Sequence, residues 1–128
     1  MSGHIMVVDD EPAIRMTFEA VLKHAIPDIQ VDLAENGSVA VEKFQAERHA
    51  LLLMDLNMPI MDGFAAFRRI KEFCENENIN MPEVVFCTGY TVSEKVREAV
   101  ETNRNVQLLL KPVNMQTIID TVKTRLNL

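Results

Sequence analysis

Five short apolar runs recur along the chain, and each is followed by a stretch with helical periodicity. That alternation leaves few folds open. The runs are His4–Val8, Ile29–Leu33, Leu51–Met54, Val84–Cys87 and Val106–Leu110. Runs of four or five such residues read as strands, and uninterrupted ones as strands covered on both faces. Strands that alternate with helices imply a parallel sheet with helices packed on both sides and right-handed crossovers.

The helical stretches carry their own punctuation. Pro12 fits a helix's first turn, where its missing N–H costs nothing. Ile14, Phe18, Val21 and Leu22 then follow at amphipathic spacing until Pro27-Asp28 ends the pattern. Asn36-Gly37 reads as a turn before a short helix that turns Ala40, Val41 and Phe44 inward. Phe64, Phe67, Ile70 and Cys74 mark a third helix. Thr91-Val92-Ser93-Glu94 reads as a capping box, with Thr91 and Glu94 satisfying each other's backbone N–H groups, ahead of Val92, Val96, Ala99 and Val100. This helix is short and rich in Val, so it is expected to be the mobile one. Asn114 can cap a last helix bearing Met115, Ile118, Ile119, Val122 and Leu126.

Ile29-Gln30-Val31-Asp32-Leu33 alternates strictly, which predicts a strand with one wet face at a sheet edge. The first and third runs are uninterrupted, and Leu51–Met54 is the most apolar. These features fit strand order 2-1-3-4-5, in which the first and third strands are neighbours at the switch point. The expected fold class is therefore α/β. It is a single doubly wound (βα)5 domain of flavodoxin-like architecture with a parallel five-stranded sheet, spanning residues 1–128.

Polar chemistry sits at the ends of four of the runs: Asp9-Asp10, Asp55, Thr88 and Lys111-Pro112. In an open parallel sheet the C-terminal strand ends share one edge, where such folds place their ligands. Crowded carboxylates repel and raise one another's pKa, and a hard divalent cation relieves the repulsion. Mg²⁺ takes oxygen ligands in an octahedron, usually one or two carboxylates, several waters and a phosphate. A carboxylate can also attack phosphorus to give an acyl phosphate, a transfer that depends chiefly on alignment and charge neutralisation. The set therefore suits Mg²⁺ and a phosphoryl group on Asp55. The Lys111 ammonium and the Thr88 hydroxyl are placed to take phosphoryl oxygens.

Taken singly, each element has a plainer reading. Asp9-Asp10 before Glu11-Pro12 serves as well to cap the first helix as to hold a metal. Asp55 can be a turn residue, and Asp62-Gly63 looks like one. Thr88-Gly89 is common turn chemistry, and Lys111-Pro112 is an ordinary surface dipeptide. Their coincidence at successive strand ends argues for a site. His4, His24 and His49 share no metal-ligand spacing and read as surface or edge groups. Cys74 and Cys87 are too few for a disulfide framework and read as inert thiols. The eight Met residues mostly occupy core-like positions.

Composition narrows the partners. At 128 residues the chain is the size of one domain. A formal net charge of −6 and the lack of a basic stripe argue against direct nucleic-acid binding. No apolar run approaches the roughly 20 residues that span a bilayer. Met1-Ser2-Gly3-His4 lacks the charged and apolar regions of a signal peptide. The expectation is a cytoplasmic protein without membrane contact.

At these residues the chain resembles the receiver domains of two-component response regulators, of the chemotaxis-regulator type, over essentially its whole length. Val7-Val8-Asp9-Asp10-Glu11-Pro12 resembles the family's acidic metal motif. Asp55-Leu56-Asn57-Met58-Pro59-Ile60-Met61-Asp62-Gly63 resembles its phosphoacceptor loop almost letter for letter. Thr88-Gly89-Tyr90 and Lys111-Pro112 match its remaining switch positions in order and spacing.

The resemblance implies that Asp55 accepts a phosphoryl group from a phosphohistidine on a sensor histidine kinase or histidine phosphotransfer protein. It implies that Asp9, Asp10, Asp55 and the Asn57 backbone carbonyl hold Mg²⁺, for which Mn²⁺ can substitute. Thr88 and Lys111 would bind the phosphoryl oxygens, and the Lys111–Pro112 peptide would be cis. The implied role is a signalling switch, not a turnover enzyme. It would be a monomer or a weak, phosphorylation-dependent homodimer with an unknown output partner. One departure stands out: the family usually has Tyr or Phe three residues before the lysine, and Leu108 is there instead. Tyr90 then reads either as a loop aromatic shielding the pocket or as a replacement gating residue.

Two other classes make different demands. An aspartyl-phosphate phosphatase of the haloacid dehalogenase type wants a second Asp two residues after the first, where this chain has Asn57. A flavin-binding electron carrier needs a phosphate cradle after the first strand, where Asp9-Asp10 would repel phosphate. The chain stops two residues after Leu126, which suits a stand-alone regulator or a receiver cut from a longer response regulator or hybrid kinase.

Overall fold

The computed structural model describes residues 3–89 and 91–128. Five strands, β1 (His4–Val8), β2 (Gln30–Ala34), β3 (Leu51–Met54), β4 (Glu83–Thr88) and β5 (Val106–Leu110), alternate with five helices. The helices are α1 (Pro12–Ala25), α2 (Gly37–Glu47), α3 (Gly63–Glu77), α4 (Glu94–Thr102) and α5 (Met115–Arg125). All neighbouring strands pair in parallel, in the order β2-β1-β3-β4-β5. The expected doubly wound sheet is the one found.

Strand periodicity divides the core in two. Successive side chains point to opposite faces. Met6, Val8, Leu52, Met54, Val84 and Phe86 therefore pack against α2, α3 and α4, through Ala40, Phe44, Phe67, Ile70 and Val96 among others. Ile5, Val7, Leu51, Leu53, Val85 and Cys87 pack against α1 and α5, through Phe18, Leu22, Ile118 and Val122. The uninterrupted apolar runs of β1, β3 and β4 are the ones sandwiched on both faces. Cys74 and Cys87 are both buried. Among the described residues no helix is long and apolar enough to cross a membrane.

Several local expectations are corrected. Helix α4 is capped by Ser93, whose Oγ accepts the Val96 N–H at 3.3 Å, so Thr91 and Val92 lie before the helix and the Thr91–Glu94 box does not form. Asp62-Gly63 is a helix start: the Asp62 carboxylate accepts the Ala65 N–H at 2.8 Å and Gly63 is the first residue of α3. Asn36 likewise caps α2 through the Val39 N–H. Strand β2 lies at the edge, but its wet face is incomplete, because Asp32 is half-buried against His4 and His49. Of the three histidines only His24 is exposed; His49 is 2% exposed. Asn114 caps α5 as expected, accepting the Thr117 N–H at 2.8 Å.

Candidate functional site

The register of the central strands builds the site. Val8 of β1 is paired with Met54 of β3, so Asp9 and Asp55, one residue further on, leave the sheet side by side. Backbone bonds hold both in place: Asp9 N–H donates to the Ala34 carbonyl at 3.1 Å and Asp55 N–H to the Val8 carbonyl at 2.9 Å. On the other side Thr88 is the last residue of β4, and the Lys111 N–H donates to its carbonyl at 2.8 Å. All four strand-end motifs thus meet at one edge. The Lys111–Pro112 peptide is cis.

The side chains converge as well. Asp9, Asp10 and Asp55 each bring a carboxylate oxygen within 4.8 Å of the others. Asp9 and Asp55 are buried, whereas Asp10 is exposed. Lys111 Nζ lies 3.2 Å from Asp9 Oδ2 and 3.6 Å from Asp55 Oδ2. The second Asp9 oxygen accepts the Glu11 N–H at 3.0 Å, so Asp9 also helps to order the entry to α1, whose N-cap, Glu11, has no side-chain cap. Asp9 thus belongs to the site and steadies the approach to α1, but the expected side-chain cap of that helix does not form. Asp10 is the acid left open to solvent.

Electrostatics follow from burial. Desolvation pushes the Asp55 carboxyl above the ordinary carboxylate value, and the Asp9 charge adds to this. The Asn57 N–H, which donates to Asp55 Oδ1 at 3.2 Å, and the Lys111 charge oppose the shift without cancelling it. For Lys111 the order is reversed. Burial disfavours the ammonium, but the Asp9 and Asp55 charges outweigh it and hold the pKa above the ordinary lysine value. The ammonium is firmly charged at the centre of the cluster.

Three contacts at the site have no clear sequence signal. Asn57 Nδ2 donates to Thr88 Oγ1 at 3.2 Å, tying the loop after β3 to the end of β4. Arg15 Nη1 donates to the Asp9 carbonyl at 2.7 Å from the first turns of α1. Gly63 supplies close approach: a Cβ there would collide with the Asp55 carbonyl oxygen, so only glycine lets α3 start against the site. Leu108 is half-buried and lies opposite Phe86 in the sheet. It lines a cavity of about 390 Å³ beside Thr88, Val92 and Lys111. Tyr90, the other gating candidate, lies outside the described residues.

The fold and this edge define a class: a doubly wound α/β domain with an acidic cation pocket and a lysine at the switch point. Residues 5–123 match the model of the response regulator receiver domain family, and the chain belongs to that family. It is 28% identical to the chemotaxis protein CheY of Bacillus subtilis over 99% of this chain and 100% of that one. It is 30% identical to CheY of Halobacterium salinarum over 95% of each. Among solved structures it is similar to the Vibrio cholerae chemotaxis protein CheY4, with 26% identity, a TM-score of 0.76, and 97% and 98% of the two chains covered.

The chain is accordingly a receiver-domain signalling module, and its chemistry is phosphotransfer to and from its own aspartate, not turnover of a separate substrate. The Asp9, Asp10 and Asp55 cluster is the Mg²⁺ pocket of such a domain. Its donors fit the ion: all are hard oxygens, two stand in a buried site, and the third opens to water. Membership in the family implies a histidine kinase or histidine phosphotransfer protein as partner.

Proposed function

We propose that Asp55 is the phosphoacceptor of this switch, and that the whole of residues 1–128 is one receiver domain working in the cytoplasm. The observation that carries the reading is Lys111 Nζ poised between Asp9 and Asp55, beside a carboxylate trio that suits one divalent cation. An Asp55 oxygen attacks the phosphorus of a phosphohistidine. The P–N bond breaks, its electron pair stays on the imidazole nitrogen, and that nitrogen takes up a proton from water. Asp10, Asp55 and the Asn57 carbonyl would hold Mg²⁺, with Asp9 acting through water. When bound, the ion would supply positive charge beside a phosphoryl oxygen and offset the carboxylate repulsion. Lys111 turns from Asp55 to a second phosphoryl oxygen. The Thr88 hydroxyl leaves Asn57 for the third.

Movement of Thr88 is the output step. It displaces the segment from Gly89 to Ser93 and biases α4, which has only two buried residues, Val96 and Ala99. The surface of α4, β5 and α5, where Leu110 is 63% exposed, then meets a downstream partner or, weakly, a second copy of the chain. Beryllofluoride, a mimic of the acyl phosphate, tests this assignment by amide NMR with and without Mg²⁺. Shifts are expected at Asp55, Thr88, Lys111 and along α4, and only when Mg²⁺ is present. Shifts confined to residues remote from these would contradict the reading.

A further inference from the structure

At the opposite end of the sheet from the acidic pocket, the structure assembles a second group of metal-ligating side chains. His4 opens β1, Asp32 lies within β2, and His49 stands two residues before β3. His4 Nε2 is 2.9 Å from Asp32 Oδ2, and His49 Nε2 is 2.7 Å from the same oxygen. One ligand atom from each residue lies within 4.8 Å of the other two. The two imidazole rings lie 4.2 Å apart between centroids, tilted by 49°. Five residues of extended chain, roughly 16 Å, separate His4 from Asp9, so the two clusters share no side chain.

We propose that His4, Asp32 and His49 form a second metal site, selective for a borderline-soft divalent ion of the Zn²⁺ class, that clamps the β1–β2 edge to the α2–β3 connection. Two imidazole nitrogens and one carboxylate oxygen form a donor set that suits Zn²⁺, whereas Mg²⁺ prefers the all-oxygen set at Asp9, Asp10 and Asp55. Zn–N bonds of about 2.0–2.1 Å in a tetrahedron put ligand atoms about 3.3 Å apart. The two contacts to Asp32 need to open by only about half an ångström to reach that spacing.

The surroundings support a metal. Glu47 Oε1 stands 3.8 Å from His4 Nδ1, behind the ring, where a carboxylate orients a ligating histidine. With Asp32 it gives the cluster two carboxylates facing two imidazoles. His49 is fully buried at its side chain, and its Nδ1 has no hydrogen-bond partner among the described residues. Nε2 is the ring nitrogen that faces the cluster. Asp32 has 36% of its side chain exposed, which leaves an entry path and room for water as the fourth ligand.

The test uses the full chain without an affinity tag, stripped with EDTA and kept in excess Mg²⁺ so that the acidic pocket is filled. Zn²⁺ is titrated by calorimetry, and Co²⁺ by its visible d–d absorption, which reports tetrahedral nitrogen ligation. One Zn²⁺ per chain is expected, with a rise in melting temperature. His4→Gln and Asp32→Asn are each expected to weaken binding by about tenfold or more, while Asp10→Asn leaves it unchanged. Both side chains are partly exposed, 16% for His4 and 36% for Asp32, so their substitution disturbs the core less than a change at the fully buried His49. Equal affinity in wild type, His4→Gln and Asp32→Asn would overturn the proposal. So would loss of binding in Asp10→Asn, or no binding at all.

Discussion

Lys111 Nζ makes its two contacts with carboxylates that would otherwise repel each other, and much of the site's behaviour follows from that. Asp9 already spends one oxygen on Lys111 and the other on the Glu11 N–H. Asp10 is exposed, so its carboxylate can turn to a cation at little cost. Asp10→Asn is therefore expected to weaken Mg²⁺ binding more than Asp9→Asn, as measured by calorimetric titration of each variant; equal or reversed losses would contradict this. Gly63→Ala forces a methyl group into the Asp55 carbonyl, and overpacking of this kind costs about 1–3 kcal/mol. A urea midpoint unchanged by Gly63→Ala would show that the close approach is not obligatory. Burial pushes the Cys87 thiol up to about 11 and also raises Cys74. The thiolate is the reactive form, so both should resist a thiol reagent at pH 8 until the protein unfolds. At this scale the carboxylates, Thr88 and Lys111 were legible because each ends an apolar run. His49 was not: residues 4, 32 and 49 have no local spacing, and they meet only through the pairing of β1 with β2 and the path of the α2–β3 connection.

Among the elements, strands were easier to read than helix starts. Their positions follow from apolar runs that the core requires, whereas a helix start depends on which of several capping residues adopts extended φ/ψ. Thr91 and Ser93 are both good caps in sequence, and Ser93 takes the role because α4 begins at Glu94. Ser93→Ala should cost about 1 kcal/mol by urea unfolding, and Thr91→Ala less than about 0.5. The reverse order would restore the earlier start of the helix. Beside α4, Leu108 leaves a cavity of about 390 Å³ next to Thr88. Position 108 offers no aromatic ring to follow Thr88, so the proposed packing step that would sharpen the switch is expected to be weak. A ligand shifts a conformational equilibrium only by its differential interaction with the two states. Beryllofluoride should thus drive only modest dimerisation of the wild-type chain, and more in Leu108→Tyr. Sedimentation showing strong wild-type dimerisation that Leu108→Tyr does not improve would refute this.

For the molecule as a whole, the two cores bury the centre of the switch edge and leave its rim partly exposed. Strands β1 and β3 carry Asp9 and Asp55, are buried on both faces and lie inside the sheet. Strand β5 is an edge strand with three half-buried residues and an exposed Leu110. The proposed phosphoryl chemistry is anchored on strands buried on both faces, and the proposed output lies on a partly exposed edge strand. Sheet order was legible because β2 alternates while β1 and β3 do not. The side-chain ties across the edge, from Asn57 to Thr88 and Arg15 to Asp9, were not, since they depend on the packed geometry of segments far apart in sequence. The central claim is that this edge exists to place one phosphoryl group on Asp55. Intact-mass measurement after incubation with phosphoramidate tests it most directly. Wild-type protein should gain one phosphoryl group in Mg²⁺ and none in EDTA, and Asp55→Asn should gain none in either. A phosphorylated Asp55→Asn protein, or modification of the wild type that ignores EDTA, would contradict the account.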